Sequence, residues 1–134
     1  MANTSAAQQI GTVITYTTPV QNLSVDPAIL VKHPAIKFLA SIPTLWDETL
    51  VLPMTKIGDL CAMARRKGNT WFVAVYSGSA TARTVTLPLD FLKSGDFDGS
   101  FVADKADSQT AVVLSAQQVK AGASLTLQLR PYGG

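Results

Sequence analysis

Trp71-Phe72-Val73-Ala74-Val75-Tyr76 decides the reading of this chain. All six residues are apolar or aromatic, so the segment fits a strand covered on both faces. Upstream, Leu60-Cys61-Ala62-Met63-Ala64 has the same character. Lys67-Gly68-Asn69 lies between them, and Gly-Asn next to two apolar runs is a hairpin signal. The two segments are therefore expected to be central strands of one antiparallel sheet.

Further out the pattern changes to simple alternation. Leu125, Leu127 and Leu129 alternate with Ser124, Thr126, Gln128 and Arg130. Val85 and Leu87 alternate with Thr84 and Thr86, and Phe97, Gly99 and Phe101 with Asp98 and Ser100. Side chains of a strand point to opposite faces in turn, so these are half-buried strands. Turn signals recur at Gly58, Gly78, Gly95-Asp96, Asp107-Ser108 and Gly122. About seven short strands at this spacing predict a mainly β fold: an antiparallel, Greek-key-like β-sandwich over residues 47–134. Each sheet has one apolar face, and two such faces cover each other.

Residues 1–46 read as an N-terminal helical segment and linker. Ile10, Val13, Tyr16, Val20 and Leu23 recur at helical spacing, although Thr12–Thr18 is rich in β-branched residues that favour strands. Asp26 is placed to cap a turn beginning at Pro27, and Pro34 to open a second turn over 35–40, which Pro43 stops.

The 134 residues, 47% hydrophobic and 15% charged, support one cored domain and argue against disorder. Net charge is +2, and Arg65-Arg66-Lys67 is the longest basic run, too little for a nucleic-acid footprint. No apolar stretch reaches a membrane-spanning length of roughly 18 residues. The opening MANTSAAQQIGTV lacks the positive charge of a signal peptide. Cys61 is alone, excludes an internal disulfide, and reads as a buried small hydrophobe.

Catalytic chemistry finds little material. His33 is the only histidine and reads as a cap or surface residue beside Pro34. Together with the one cysteine it cannot supply a zinc site. Glu48 is the only glutamate; its neighbour Asp47 points to the opposite side of an extended segment, so the two cannot flank one glycosidic bond. Asp96-Phe97-Asp98-Gly99 with Asp104 and Asp107 is an incomplete calcium-loop pattern, read as turn aspartates. No catalytic residue, metal ligand or cofactor is expected. Among the aromatics, Trp46 and Tyr132 are candidates for contact with a sugar ring, whose apolar face would stack on theirs. Trp71 reads as core.

Four blocks resemble a known family. Ser41-Ile42-Pro43-Thr44-Leu45-Trp46-Asp47-Glu48-Thr49 is similar to the junction that opens the C-terminal domain of glycoside hydrolase family 97. Ala64–Val73, Ala82–Leu92 and Leu129–Gly134 resemble a hairpin, a strand and the Gly-rich end of the same domain, in the same order. Tyr16–Leu23 is similar to the end of that family's last barrel helix. The family comprises α-glucosidases and α-galactosidases, often periplasmic, with the catalytic carboxylates and calcium ligands outside this domain. The resemblance thus implies a non-catalytic accessory domain for packing or oligomerisation. Its partners would be a second copy, with a dimer as first expectation, or the catalytic barrel of a parent enzyme. The alternative is a carbohydrate-binding module for α-glucan or galactoside. Ile10, Val13, Tyr16 and Val20 form the expected association surface, to be covered by the chain's own sandwich or by a second copy. Two departures from the family's pattern stand out: Ala74 where glycine is usual, and Phe101–Asp107 in place of a late turn.

Overall fold

The computed structural model describes residues 4–134; the first three residues of the stretch read for a leader lie outside the described residues. Strands β1 (Glu48–Val51), β2 (Leu60–Lys67) and β3 (Thr70–Ser77) form one antiparallel sheet in that order. The β2–β3 register pairs Lys67 with Thr70, so only Gly68 and Asn69 make the turn, and Lys67 belongs to the strand. Gly68 has a φ of 57°. Glycine at the first central position matches the turns that follow the twist of a hairpin.

Strands β4 (Arg83–Pro88) and β7 (Ser124–Leu129) pair antiparallel as a second layer. Between them in sequence lies the hairpin of β5 (Asp96–Asp104) and β6 (Val112–Lys120). The layers meet as the alternation predicted. Ala62, Ala64, Val73, Val75 and Trp71 face Leu87, Leu89, Leu92, Leu125 and Leu127, with Phe97 and Val119 joining from the base of the β5–β6 hairpin. Trp71 is core, its ring 5.0 Å from that of Phe91.

The other face of the β2–β3 sheet carries the cross-strand pairs Cys61–Tyr76, Met63–Ala74 and Arg65–Phe72. Helix α1 (Ala6–Thr15) lies on it, burying Ala7, Ile10 and Ile14 at helical spacing. The approach is close because the contact residues are small. A Cβ added at Gly11 would sit 3.0 Å from Tyr76 Cδ1 and 3.7 Å from the Ala74 Cβ. Glycine in the helix thus makes room for the Tyr76 ring, beside Ala74, which stands where the resemblance leads one to expect glycine in the strand.

The double-apolar pattern of 71–76 is real, but its cause differs from the expectation. β2 is central; β3 ends its sheet, and its second face is covered by a helix rather than by its being an inner strand. Cys61 is half-buried rather than buried.

The helix also stops earlier than its apolar period. It ends at Thr15, with Tyr16 extended at ψ 138°, so Tyr16, Val20 and Leu23 lie outside it. Thr12 and Thr15 are accommodated by hydroxyl bonds to the carbonyls of Gln9 and Thr12. Beyond them Pro19 disfavours helical backbone at Thr18. Of the next two helices, α2 (Pro27–Leu30) begins as expected, while α3 (Ile36–Ser41) starts one residue later than expected, with Pro34 and Ala35 in the turn before it. Asp26 accepts from Ala28 N, and His33 Nδ1 accepts from Ala35 N. No helix among the described residues is long and apolar enough to cross a membrane.

Candidate association surface

The strongest local construction joins four consecutive residues to the β2–β3 turn. The Arg65 guanidinium lies 4.7 Å from the Trp46 ring centroid. Asp47 accepts from Lys67 Nζ at 2.9 Å and from Gly68 N at 2.8 Å. Glu48 accepts from Arg66 at 3.0 Å, and Thr49 from Arg65 Nε at 3.0 Å. Every residue of 46–49 therefore meets a partner in 65–68. The Gly68 amide, then the Lys67 ammonium, hold the Asp47 carboxyl below its ordinary value. Asp47 and Glu48 are thus components of a structural junction, as the neighbour geometry implied.

Arg65 reaches further. It is 7% exposed, and its Nη1 donates to the carbonyls of Ile14 and Tyr16, both at 2.8 Å. These are orphan carbonyls at the end of α1, where a cation is favoured by the helix dipole. At the other end of α1, Ser5 Oγ accepts from Gln8 N, and Asp104 Oδ1 accepts from Ala7 N at 3.0 Å. Asp104 Oδ2 also takes Gly134 N at 3.0 Å. A Cβ at Gly133 would lie 2.6 Å from Asp104 Oδ2, so glycine is required for this approach. α1 is therefore pinned to the sandwich at both ends. Tyr76 donates or accepts at Thr15 Oγ1 (3.0 Å), and burial pushes its phenol up to about 12.

The expected surface residues separate. Ile10 is buried on the chain's own sheet, and Val13 is half-buried. Tyr16 and Val20 are 55% and 81% exposed. They open a larger apolar excursion that includes Leu23, Val25, Ile29 and Val31. These are six of the eleven large hydrophobic residues exposed among the described residues, gathered in one short stretch. A cleft of about 340 Å³ lies at its start, lined by Val13, Pro19, Val20, Gln21, Ile42, Pro43 and Thr44. Gln21 Nε2 bonds the Val13 carbonyl at 2.9 Å and fixes the fold-back.

The two sugar-contact candidates are not brought together. Trp46 sits at the C-terminal end of α1, with Arg65 on its face and Phe72 edge-on at 5.3 Å. Tyr132 sits at the N-terminal end, its carbonyl taking Ser5 N and its φ at 51°. A ten-residue helix separates them by about 15 Å. The aspartates 96, 98, 104 and 107 form no metal-ligating group of three among the described residues. Sequence reasoning missed Arg65 and Asp104 as anchors. Charge order, Asp47-Glu48 against Arg66-Lys67, signals the neighbouring junction but neither anchor, since both bind backbone groups of α1.

The described residues thus form an antiparallel β domain backed by a helix and tied by a charged junction. The sequence profile of the family described as glycosyl-hydrolase 97 C-terminal, oligomerisation matches residues 45–134, and the chain belongs to that family. It is 27% identical, over 138 aligned positions, to a retaining α-galactosidase of Bacteroides thetaiotaomicron, covering all of this chain and 20% of that protein. A family 97 glycoside hydrolase from Pseudoalteromonas sp. strain K8, solved with acarbose, superposes with a TM-score of 0.86 at 25% identity. That match covers 97% of this chain and 22% of the enzyme. A β-arabinopyranosidase structure gives 0.79 at 28% identity, over 98% and 20%. The chain thus spans about a fifth of these relatives and is an accessory C-terminal domain of oligomerisation type.

Proposed function

We propose that this chain is a non-catalytic packing module that covers its apolar excursion, Tyr16 to Val31, with the larger part of a family 97-type enzyme, and that it self-associates. The observation that carries the reading is the concentration of exposed apolar side chains in that excursion. Large apolar patches are uncommon on lone soluble domains and mark interaction sites. The excursion precedes the family's 45–134 segment, on the side where a C-terminal domain joins the rest of its enzyme. Its own helix already covers the outer face of β3, so the remaining cover must come from another body.

The test uses a chain that carries the larger part together with this domain, and compares it with Val20→Lys/Ile29→Lys. The double variant is expected to lower the melting temperature of the joined protein while leaving the unfolding free energy of the 134-residue chain within about 0.5 kcal/mol of the parent. Equal effects on both, or on neither, would remove the excursion from the interface. Hydrolysis of an aryl α-glycoside by the purified 134-residue chain would contradict the non-catalytic reading. A carbohydrate-binding role would rest on Trp46 or Tyr132 acting singly. It predicts retention on an α-glucan column that Trp46→Ala or Tyr132→Ala removes.

A further inference from the structure

Strand β6 has the same length as its partner β5 but a different environment. One edge pairs with β5 along the whole strand, Val112 with Asp104 through Lys120 with Asp96. Among the described residues no hydrogen bond engages the opposite edge from Val112 to Val119. Residues 113–118 are exposed in succession, on both faces, including Val113 at 47% and Leu114 at 48%. An open edge presents a row of unpaired N–H and C=O groups, a template for another strand. Edges that must stay single carry charges, proline or a bulge. From Val112 to Val119 there is no charged residue and no proline. The pairing with β5 runs without a skipped position, so there is no bulge either.

We infer that the outer edge of β6 pairs antiparallel with β6 of a second copy across a two-fold axis, joining two β5–β6 hairpins into one four-stranded sheet. This rests on the self-association reading and names the surface and the partner. A second copy suits the edge because a two-fold contact is self-complementary. An uncharged strand meeting itself in reverse brings no like charges together. An axis at Ala116 sets Ala116 against its counterpart, and Val113 against Val119 of the second copy. The apolar excursion is a separate surface, left for a different body.

The test is charge complementation at Ala116, an exposed position whose replacement leaves the core untouched. Wild type is expected to sediment as a concentration-dependent dimer. Ala116→Lys and Ala116→Glu each place like charges opposite one another and should weaken the dimer by roughly tenfold or more. An equimolar mixture of the two should restore dimers, and at dilutions where wild type is monomeric both variants should melt as wild type does. Amide exchange in wild type should slow over 112–119 as concentration rises. A wild type monomeric at all concentrations would overturn both this inference and the self-association reading. Dimers that persist in both variants would overturn the β6 edge alone. So would failure of the mixture to restore dimers, or dimerisation without slower exchange in β6.

Discussion

Strands β3 and β6 are both edges of small antiparallel units, yet one is covered on both faces and the other on almost none. β3 carries Trp71, Val73 and Val75 into the core, Ala74 and Tyr76 under α1, and Phe72 against Trp46. β6 carries Ser115, Ala116, Gln117 and Gln118 into solvent. A strand's composition follows the layers laid on it, not its place in the hydrogen-bonded order. The helix that covers β3 is held by few groups: three apolar side chains, Arg65 and the Tyr76 hydroxyl towards its end, and Asp104 at its start. Because those groups are few, the contrast can be broken one at a time.

The largest loss is expected from Ile14→Ala, since Ile14 is 2% exposed between α1 and the sheet. Removal of a buried aliphatic side chain costs about 3 kcal/mol, to be read by urea denaturation. The same change should raise protease cleavage in α1 and leave β4–β7 intact.

Arg65→Ala comes next, at about 2 kcal/mol. It withdraws charged hydrogen bonds from the Ile14 and Tyr16 carbonyls and from Thr49. Its signature is exposure of the β3 outer face, seen as increased reactivity of Cys61, which is paired with Tyr76 under the helix. Unchanged Cys61 reactivity would show that α1 remains seated without the clamp.

The smallest effect belongs to the exposed junction. Asp47 is held below the ordinary carboxyl value of 3.8 by Gly68 and Lys67, and Asp59 likewise by Arg83. A carboxyl depressed in the folded state contributes stability that is full above its unfolded value and fades as pH falls through the folded value. Stability should therefore be level from neutral pH down to about pH 4 and decline below it. Asp47→Asn should flatten that decline slightly and leave stability at neutral pH almost unchanged, because the carboxylate is solvent-screened. A decline already under way at pH 6 would point to another group.

The strands were legible because alternation is a local signal. Val85, Leu87, Leu125, Leu127 and Leu129 could be assigned to one face from their spacing alone. The end of α1 was not legible, because the apolar period continues through Tyr16, Val20 and Leu23 while the backbone does not. Competing terms met there: threonine branching, Pro19, and the anchoring of the Ile14 and Tyr16 carbonyls by a distant arginine. Of the four residues expected at an association surface, the structure leaves two open to solvent. Tyr16 and Val20 are exposed, whereas Ile10 and part of Val13 were taken by the chain's own sheet. Helical spacing reports that a face is apolar, not what covers it.

By itself the sequence determined the β class, a count of about seven strands, the phase of β4, β5 and β7, the hairpin turn around Gly68-Asn69 and the scarcity of reactive groups. These follow from neighbours one to four residues apart, where pleat and helix pitch impose fixed periods. Only the tertiary structure decided that α1 covers β3, that Trp46 is held against Arg65, and that β6 keeps an open edge. Those outcomes depend on contacts such as Arg65 with Ile14, 51 residues apart in the chain, whose geometry exists only after the layers have closed.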